Sequence, residues 1–209
     1  MNLVSPYRNI KQYTRISIEP YHMNSDIILN LKLILKKNKE KKCNKNGFID
    51  EIYKILEYSD GMMHPENLNG CVIYNITYQC KICIPVENTL IIGQIKVINQ
   101  ELIIANNGPI MIFIPKENVD TNNWEIIDGY KNNNKKLATD DYVKIQITDK
   151  RINQNDNQIK SIGKLIDFAS SEEVKQYFGS KINKTTDTDD TNRITDTDDI
   201  DNTESNFII

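Results

Sequence analysis

From Val72 to Ile84 every second residue is apolar: Val72, Tyr74, Ile76, Tyr78, Cys80, Ile82 and Ile84. The residues between them are Ile73, Asn75, Thr77, Gln79, Lys81 and Cys83. A period of two gives an extended strand one apolar face and one mostly polar face. At roughly 3.3 Å per residue such a strand runs on the order of 40 Å, well beyond the usual five or six residues. A strand that long predicts two small domains fastened by one shared strand, which Pro85 stops.

The pattern on either side completes two domains. Residues 15–19 alternate as a short strand ended by Pro20. Ser25 and Asp26 offer an N-cap and a first-turn acid for a helix through about Lys37. Its apolar residues Ile27, Ile28, Leu31, Ile34 and Leu35 follow the i, i+3, i+4, i+7 spacing. Lys36, Lys37, Lys39, Lys41 and Lys42 crowd its C-terminal end, as a solvated helix end or as a patch for RNA or a partner. After the Asn46-Gly47 turn, residues 48–57 fit either period. Their shortness, their β-branched and aromatic content and the Asp60-Gly61 stop select a strand. Residues 1–84 therefore read as a small α+β domain.

From Val86 onward the pattern is β. Residues 90–99, 102–105, 110–114, 142–149 and 158–166 are five strands with a longer connection after the third, which predicts a five-stranded OB barrel over residues 85–179. A helix at 171–177, capped by Ser170 and Ser171 and ended by Gly179, closes it. Residues 180–209 twice repeat Thr-Asp-Thr-Asp-Asp and lack the apolar surface to offset ordering entropy, which predicts a disordered acidic tail. The Gly and terminal Glu of a calcium loop are absent from those Asp clusters. The tail reads as solvated, as an electrostatic lid against RNA, or as a hook ending in Phe207-Ile208-Ile209; Thr186 and Thr195 are candidate phosphorylation positions.

Composition agrees with a mostly β chain, because Ala occurs only at 105, 138 and 169 while Ile is abundant. No apolar run approaches the roughly 20 residues of a membrane span, and no secretory leader is visible, so a soluble intracellular protein without a membrane partner is expected. The net charge of -3 conceals a split. Residues 180–209 carry three basic and eight acidic side chains, leaving 23 basic and 21 acidic on residues 1–179. A near-neutral body excludes a tight duplex-DNA binder and leaves weak contact with single strands. Cys80 and Cys83 have the spacing of half a zinc site, but on one strand they face opposite ways, roughly 10 Å apart. Neither a disulfide nor a shared metal fits; Cys80 reads as core and Cys83 as surface. His22 and His64 neighbour no nucleophile or metal cluster, and no phosphate loop is present, so neither catalysis nor a cofactor is expected.

The ordered motifs resemble a known family, the stalk subunit of multisubunit DNA-directed RNA polymerase (the seventh subunit of eukaryotic polymerase II and its archaeal counterpart). They are Ile16-Ser17-Ile18-Glu19-Pro20, Leu31-Lys32-Leu33, Cys43 before Gly47-Phe48-Ile49, Met63-His64-Pro65, and Val72-Ile73-Tyr74 through Tyr78. Pro85, Val97-Ile98-Asn99, Gly108-Pro109, Phe113-Ile114-Pro115, Arg151, Ser161-Ile162-Gly163 and Tyr177-Phe178-Gly179 continue the series, which covers residues 7–179. The chain departs from the pattern at Ile84, at Glu87-Asn88 and at Leu102, losing positive charge near the junction. Its composition and divergence resemble stalk subunits of large cytoplasmic DNA viruses, which implies the host-cell viral factory and the virion as locations; a cellular homologue would work in the nucleus.

The resemblance implies a non-catalytic accessory subunit. A truncated RNP-like N-terminal domain docks on polymerase core subunits and pairs with a second small stalk subunit, while the OB barrel lies near nascent single-stranded RNA. Pro20, Gly47, Phe48, His64 and Pro65 are the candidate docking residues. Lys96, Phe113, Lys116, Lys144, Lys150 and Arg151 are the candidate RNA contacts, Phe113 being equally a core candidate and the lysines equally plain solubilising charges. Few aromatics and cations predict weak RNA binding with a shallow salt slope. The competing readings are a free-standing OB-fold RNA-binding factor of translation or RNA decay, and an assembly protein whose barrel binds protein.

Overall fold

The computed structural model describes residues 3–65, 69–126, 129–132 and 135–182. Its first sheet is built around the long alternating segment. Strand β1 (Tyr7–Ile18) leads through a 3-10 turn at Pro20–His22 into helix α1 (Ile27–Lys39), followed by β2 (Cys43–Asn44), β3 (Gly47–Tyr58), β4 (Met62–Met63) and β5 (Val72–Cys83). Sheet order is β1-β5-β3-β2, with β4 also on β5. β1 pairs antiparallel with β5 along its whole length, from Tyr7 opposite Cys83 to Ile18 opposite Val72. It is therefore 12 residues long where alternation alone marks residues 15–19. The register of β5 imposes strand on a polar stretch that has no period of its own.

α1 lies on one face of this sheet. Leu31 and Leu35 pack into a core with Ile18, Ile49, Ile52 and Ile76, and Ile27 and Ile34 are half-buried against it. Ile28, expected in that stripe, falls on its flank and is exposed. Asp26 is the N-cap, but its side chain makes no capping hydrogen bond. Asn30 instead ties the helix start down, donating to the His22 carbonyl (2.8 Å) and to Asn24 Oδ1 (2.9 Å).

The second unit comprises β6 (Leu90–Ile98), β7 (Leu102–Asn107), β8 (Ile110–Pro115), a short hairpin of β9 (Lys131–Asn132) and β10 (Lys135–Lys136), then β11 (Tyr142–Arg151), β12 (Ile159–Phe168) and α2 (Ser171–Ile182). Five strands close into a barrel in the order β11-β12-β8-β7-β6. β8 and β12 run parallel, and the other pairs are antiparallel. This is the five-stranded OB barrel expected from the strand pattern, in a mostly β, α+β chain. Gly93 and Gly163 permit the closure, since a Cβ at either would collide with Ile145. The connection after β8 covers the far end of the barrel with buried Trp124, Tyr130 and Leu137. Trp124 donates to the Ile166 carbonyl and Tyr130 to the Gln100 carbonyl, both at 3.0 Å.

α2 begins in a capping box: Ser170 Oγ accepts from the Glu173 amide, and Glu173 Oε2 accepts from the Ser170 amide at 2.8 Å. It runs past Gly179, the expected stop, to Ile182. The repeats, Thr186, Thr195 and the Phe207-Ile208-Ile209 end lie outside the described residues.

The two units share β5 by packing. The barrel closes without it, yet Cys83 is fully buried in the barrel core together with Cys43 and Phe48. The expectation of a surface Cys83 is thus overturned. Alternation assigns a residue to a face, and at this end of β5 the second face is covered by the barrel. The units are also joined by backbone hydrogen bonds, from Cys43 N–H to Asp156 O (2.8 Å) and from Asn155 N–H to Cys43 O (2.9 Å).

Candidate functional site

The barrel places Phe113 on its outer wall. Ile110, Ile112 and Ile114 of β8 point inward and are fully buried, while Phe113 is half-buried on the opposite parity. Ile104 of β7 and Ile162 of β12 stand directly beside Phe113, and Val97 of β6 beside Ile104. Val97, Ile104, Phe113 and Ile162 therefore form an apolar row across four strands, with Val97 and Ile162 each 41% exposed. On the next row Lys160 stands opposite both Met111 and Arg151. An aromatic on a sheet face with cations alongside is the arrangement that OB folds use to stack bases and follow phosphates.

The remaining candidate cations are scattered. Lys96 forms an ion pair with Asp140 (3.0 Å), and Lys144 with Glu173 (2.7 Å). The Lys144 hydrogen bond holds the Glu173 carboxyl below its ordinary range. Lys150 donates to the Pro85 carbonyl (3.0 Å) and lies 3.8 Å from Glu87. Lys116 is exposed just beyond β8, at the end of the barrel remote from Arg151. Of the six candidates, the fold brings Phe113 and Arg151 to one face and holds three lysines in ion pairs.

The docking candidates separate as well. Gly47 and Phe48 are buried at the junction of the two units and present no outer surface. Pro20, His64 and Pro65 are exposed. They sit at the end of the first sheet farthest from the barrel, where Ile18 pairs with Val72 and Met63 also pairs with Val72. Tyr21, Met62 and Met63 are exposed there, and Ile28, Leu29 and Leu33 carry the exposure along α1. Isolated exposed apolar residues are ordinary, so the three at the free end of the sheet and the three along α1 are candidates for a contact surface and no more.

No protein-family model matches the chain. A curated protein of Acanthamoeba polyphaga mimivirus, "Putative DNA-directed RNA polymerase subunit L376", is 34% identical over 176 residues, which is 83% of this chain and 88% of that protein. The chain belongs to this family of DNA-directed RNA polymerase subunits. The match extends over most of both chains.

Within this polymerase-subunit family, the residues missed by sequence reasoning are Val97, Ile104, Ile162 and Lys160. Each stands on the outward parity of a strand that the period marks, so the signal is present in the sequence. What alternation does not supply is the register that lines the four strands up. Among the described residues no group of three His, Cys, Asp or Glu side chains is placed to hold a metal ion.

Proposed function

We propose that the chain is the stalk subunit of a DNA-directed RNA polymerase encoded by a large DNA virus, an accessory arm without catalytic residues of its own. The free end of the α+β domain docks on the core enzyme through the Pro20, His64 and Pro65 end and the apolar residues around it. The barrel stands out beside the emerging transcript and contacts single-stranded RNA weakly over the Phe113 row. A second small stalk subunit pairs with it, and the complex works in the cytoplasmic viral factory and enters the virion.

The observation that carries this reading is the order of parts in a polymerase-family chain: an α+β unit with an exposed apolar end, then a five-stranded OB barrel with an outward aromatic row. Affinity purification of the tagged full-length chain from producing cells tests it. Co-purification of large polymerase subunits is expected. Ribosomal proteins or nucleases in their place would make the chain a free-standing RNA-binding factor. Crosslinking of the purified polymerase to its nascent transcript then decides whether the barrel meets RNA or only protein.

A further inference from the structure

The first sheet curls until its two edge strands approach each other. β1 and β2 stand at opposite ends of the strand order, yet Asn44 Nδ2 on β2 donates to Gln12 Oε1 on β1 at 2.8 Å. The seam between these edges is a cleft of about 510 Å³, roofed by Lys39 at the end of α1 and by Gln154 from the β11–β12 turn of the barrel. Among the described residues three lysines line it, Lys11, Lys39 and Lys45, and no carboxylate does. Several other lysines are matched, Lys36 with Glu40, Lys41 and Lys81 with Asp50, Lys96 with Asp140, and Lys144 with Glu173. Lys11, Lys39 and Lys45 form no ion pair among the described residues. Three like charges around one concavity, undiluted by an acid, form a field that attracts an anion.

Two further observations define the ligand. Gln12 is only 8% exposed, and its carbonyl oxygen is occupied by the Tyr78 hydroxyl (2.9 Å) as well as by Asn44. Those two donors fix the amide orientation and leave Gln12 Nε2 a buried donor with no acceptor among the described residues. Tyr13, at the rim beside Lys11, is 63% exposed. Lysines for phosphates, an exposed ring for a base and an amide donor without an acceptor are the parts of a single-strand site.

We propose that this seam binds the phosphodiester backbone of single-stranded RNA, with Lys11, Lys39 and Lys45 on successive phosphates and a base stacked on Tyr13. The proposal deepens the reading that the chain meets transcript, and rests on it, but moves the stronger contact from the barrel wall to the junction of the two units. The cleft is roomy enough for one or two nucleotides, within the volume range of small-molecule sites.

The test uses the full-length chain and a fluorescent oligouridylate of about 12 nucleotides, within the site size of one OB fold. Affinity is read as a function of salt for the native chain, for Lys11→Ala/Lys39→Ala/Lys45→Ala, and for Lys116→Ala/Arg151→Ala/Lys160→Ala on the barrel. The seam variant is expected to bind roughly tenfold more weakly or worse, and to lower the log–log salt slope by about 2, as three lost phosphate contacts at about 0.7 each require. Tyr13→Ala is expected to weaken binding with the slope unchanged. Photo-crosslinking of a 4-thiouridine probe to the native chain needs no variant, and is expected to label the peptide holding Tyr13. An unchanged slope in the seam variant with a reduced one in the barrel variant would overturn the seam while leaving the stalk reading intact. Absence of any RNA binding overturns the seam too, and polymerase co-purification judges the stalk reading separately. Loss of polymerase subunits from the seam variant at unchanged RNA affinity would make the seam a protein contact, which also overturns the proposal.

Discussion

Gly47 holds a backbone φ of +137°, and a Cβ there would lie 2.7 Å from the Cys83 carbonyl oxygen. Both the left-handed conformation and the close approach exclude a side chain, and both occur where the two units meet. Gly47→Ala should cost about 1–3 kcal/mol in urea unfolding; a midpoint unmoved by the substitution would mean the junction yields freely. The buried thiols set a pH dependence. Burial pushes Cys43 and Cys80 up from 9.0 to about 11, with Asp156 adding to the effect at Cys43. The unfolded chain therefore releases these protons near pH 9 and the folded chain holds them until about 11. In that window the unfolded state binds fewer protons, so stability falls as pH rises, whereas below it the thiols contribute no slope. Urea midpoints measured across the window should fall, and less steeply in Cys80→Ala. The inward place of Cys80 is readable from alternation. The burial of Cys83 is not, because parity names a face without saying whether something lies against it.

Strands with a clear period are legible; elements held by a neighbour are not. β3, β6, β7, β8, β11 and β12 all lie where period two or a short apolar run between turn signals marks them. The first half of β1 is polar and becomes strand because β5 supplies a full row of partners. The hairpin of β9 and β10 is two residues a side, too short for any period. The start of α2 is legible, where Ser170 and Glu173 cap each other, but its end is not, because Gly179 continues the helix despite its cost. Ser170→Ala should remove about 1 kcal/mol of helix stability. Hydrogen exchange should quicken in the first turns of α2 and stay unchanged in the barrel strands. Equal acceleration in both would mean that helix and barrel open as one unit.

The whole molecule has two ends and a waist, and each offers a different surface. The end away from the barrel exposes Met63, and α1, which starts there, exposes Leu33; both contribute little to the core. Leu33→Glu/Met63→Glu should shift unfolding within about 0.5 kcal/mol per site, as exposed substitutions do. The same pair should sharply reduce polymerase recovery if this end is the dock; full recovery would place the dock elsewhere. At the far end the barrel wall carries the Phe113 row, and at the waist the seam gathers Lys11, Lys39 and Lys45. Of the RNA candidates that the sequence suggests, Lys96, Lys144 and Lys150 are held by Asp140, Glu173 and the Pro85 carbonyl. A cation's availability depends on which acid the fold brings beside it, and Asp140 is 44 positions from Lys96.

By itself, the amino-acid order determined the strands of the barrel, the core parity of β5 and the membership of the chain in a polymerase family. These follow from local periodicity and from residue identity, which are present before folding. The tertiary structure decided which lysines keep their charge free for an anion, that Cys83 lies inside, and that β1 and β2 meet across a seam. Each of these depends on the curl of the sheet, on strand register and on barrel closure, which bring together side chains far apart in the chain.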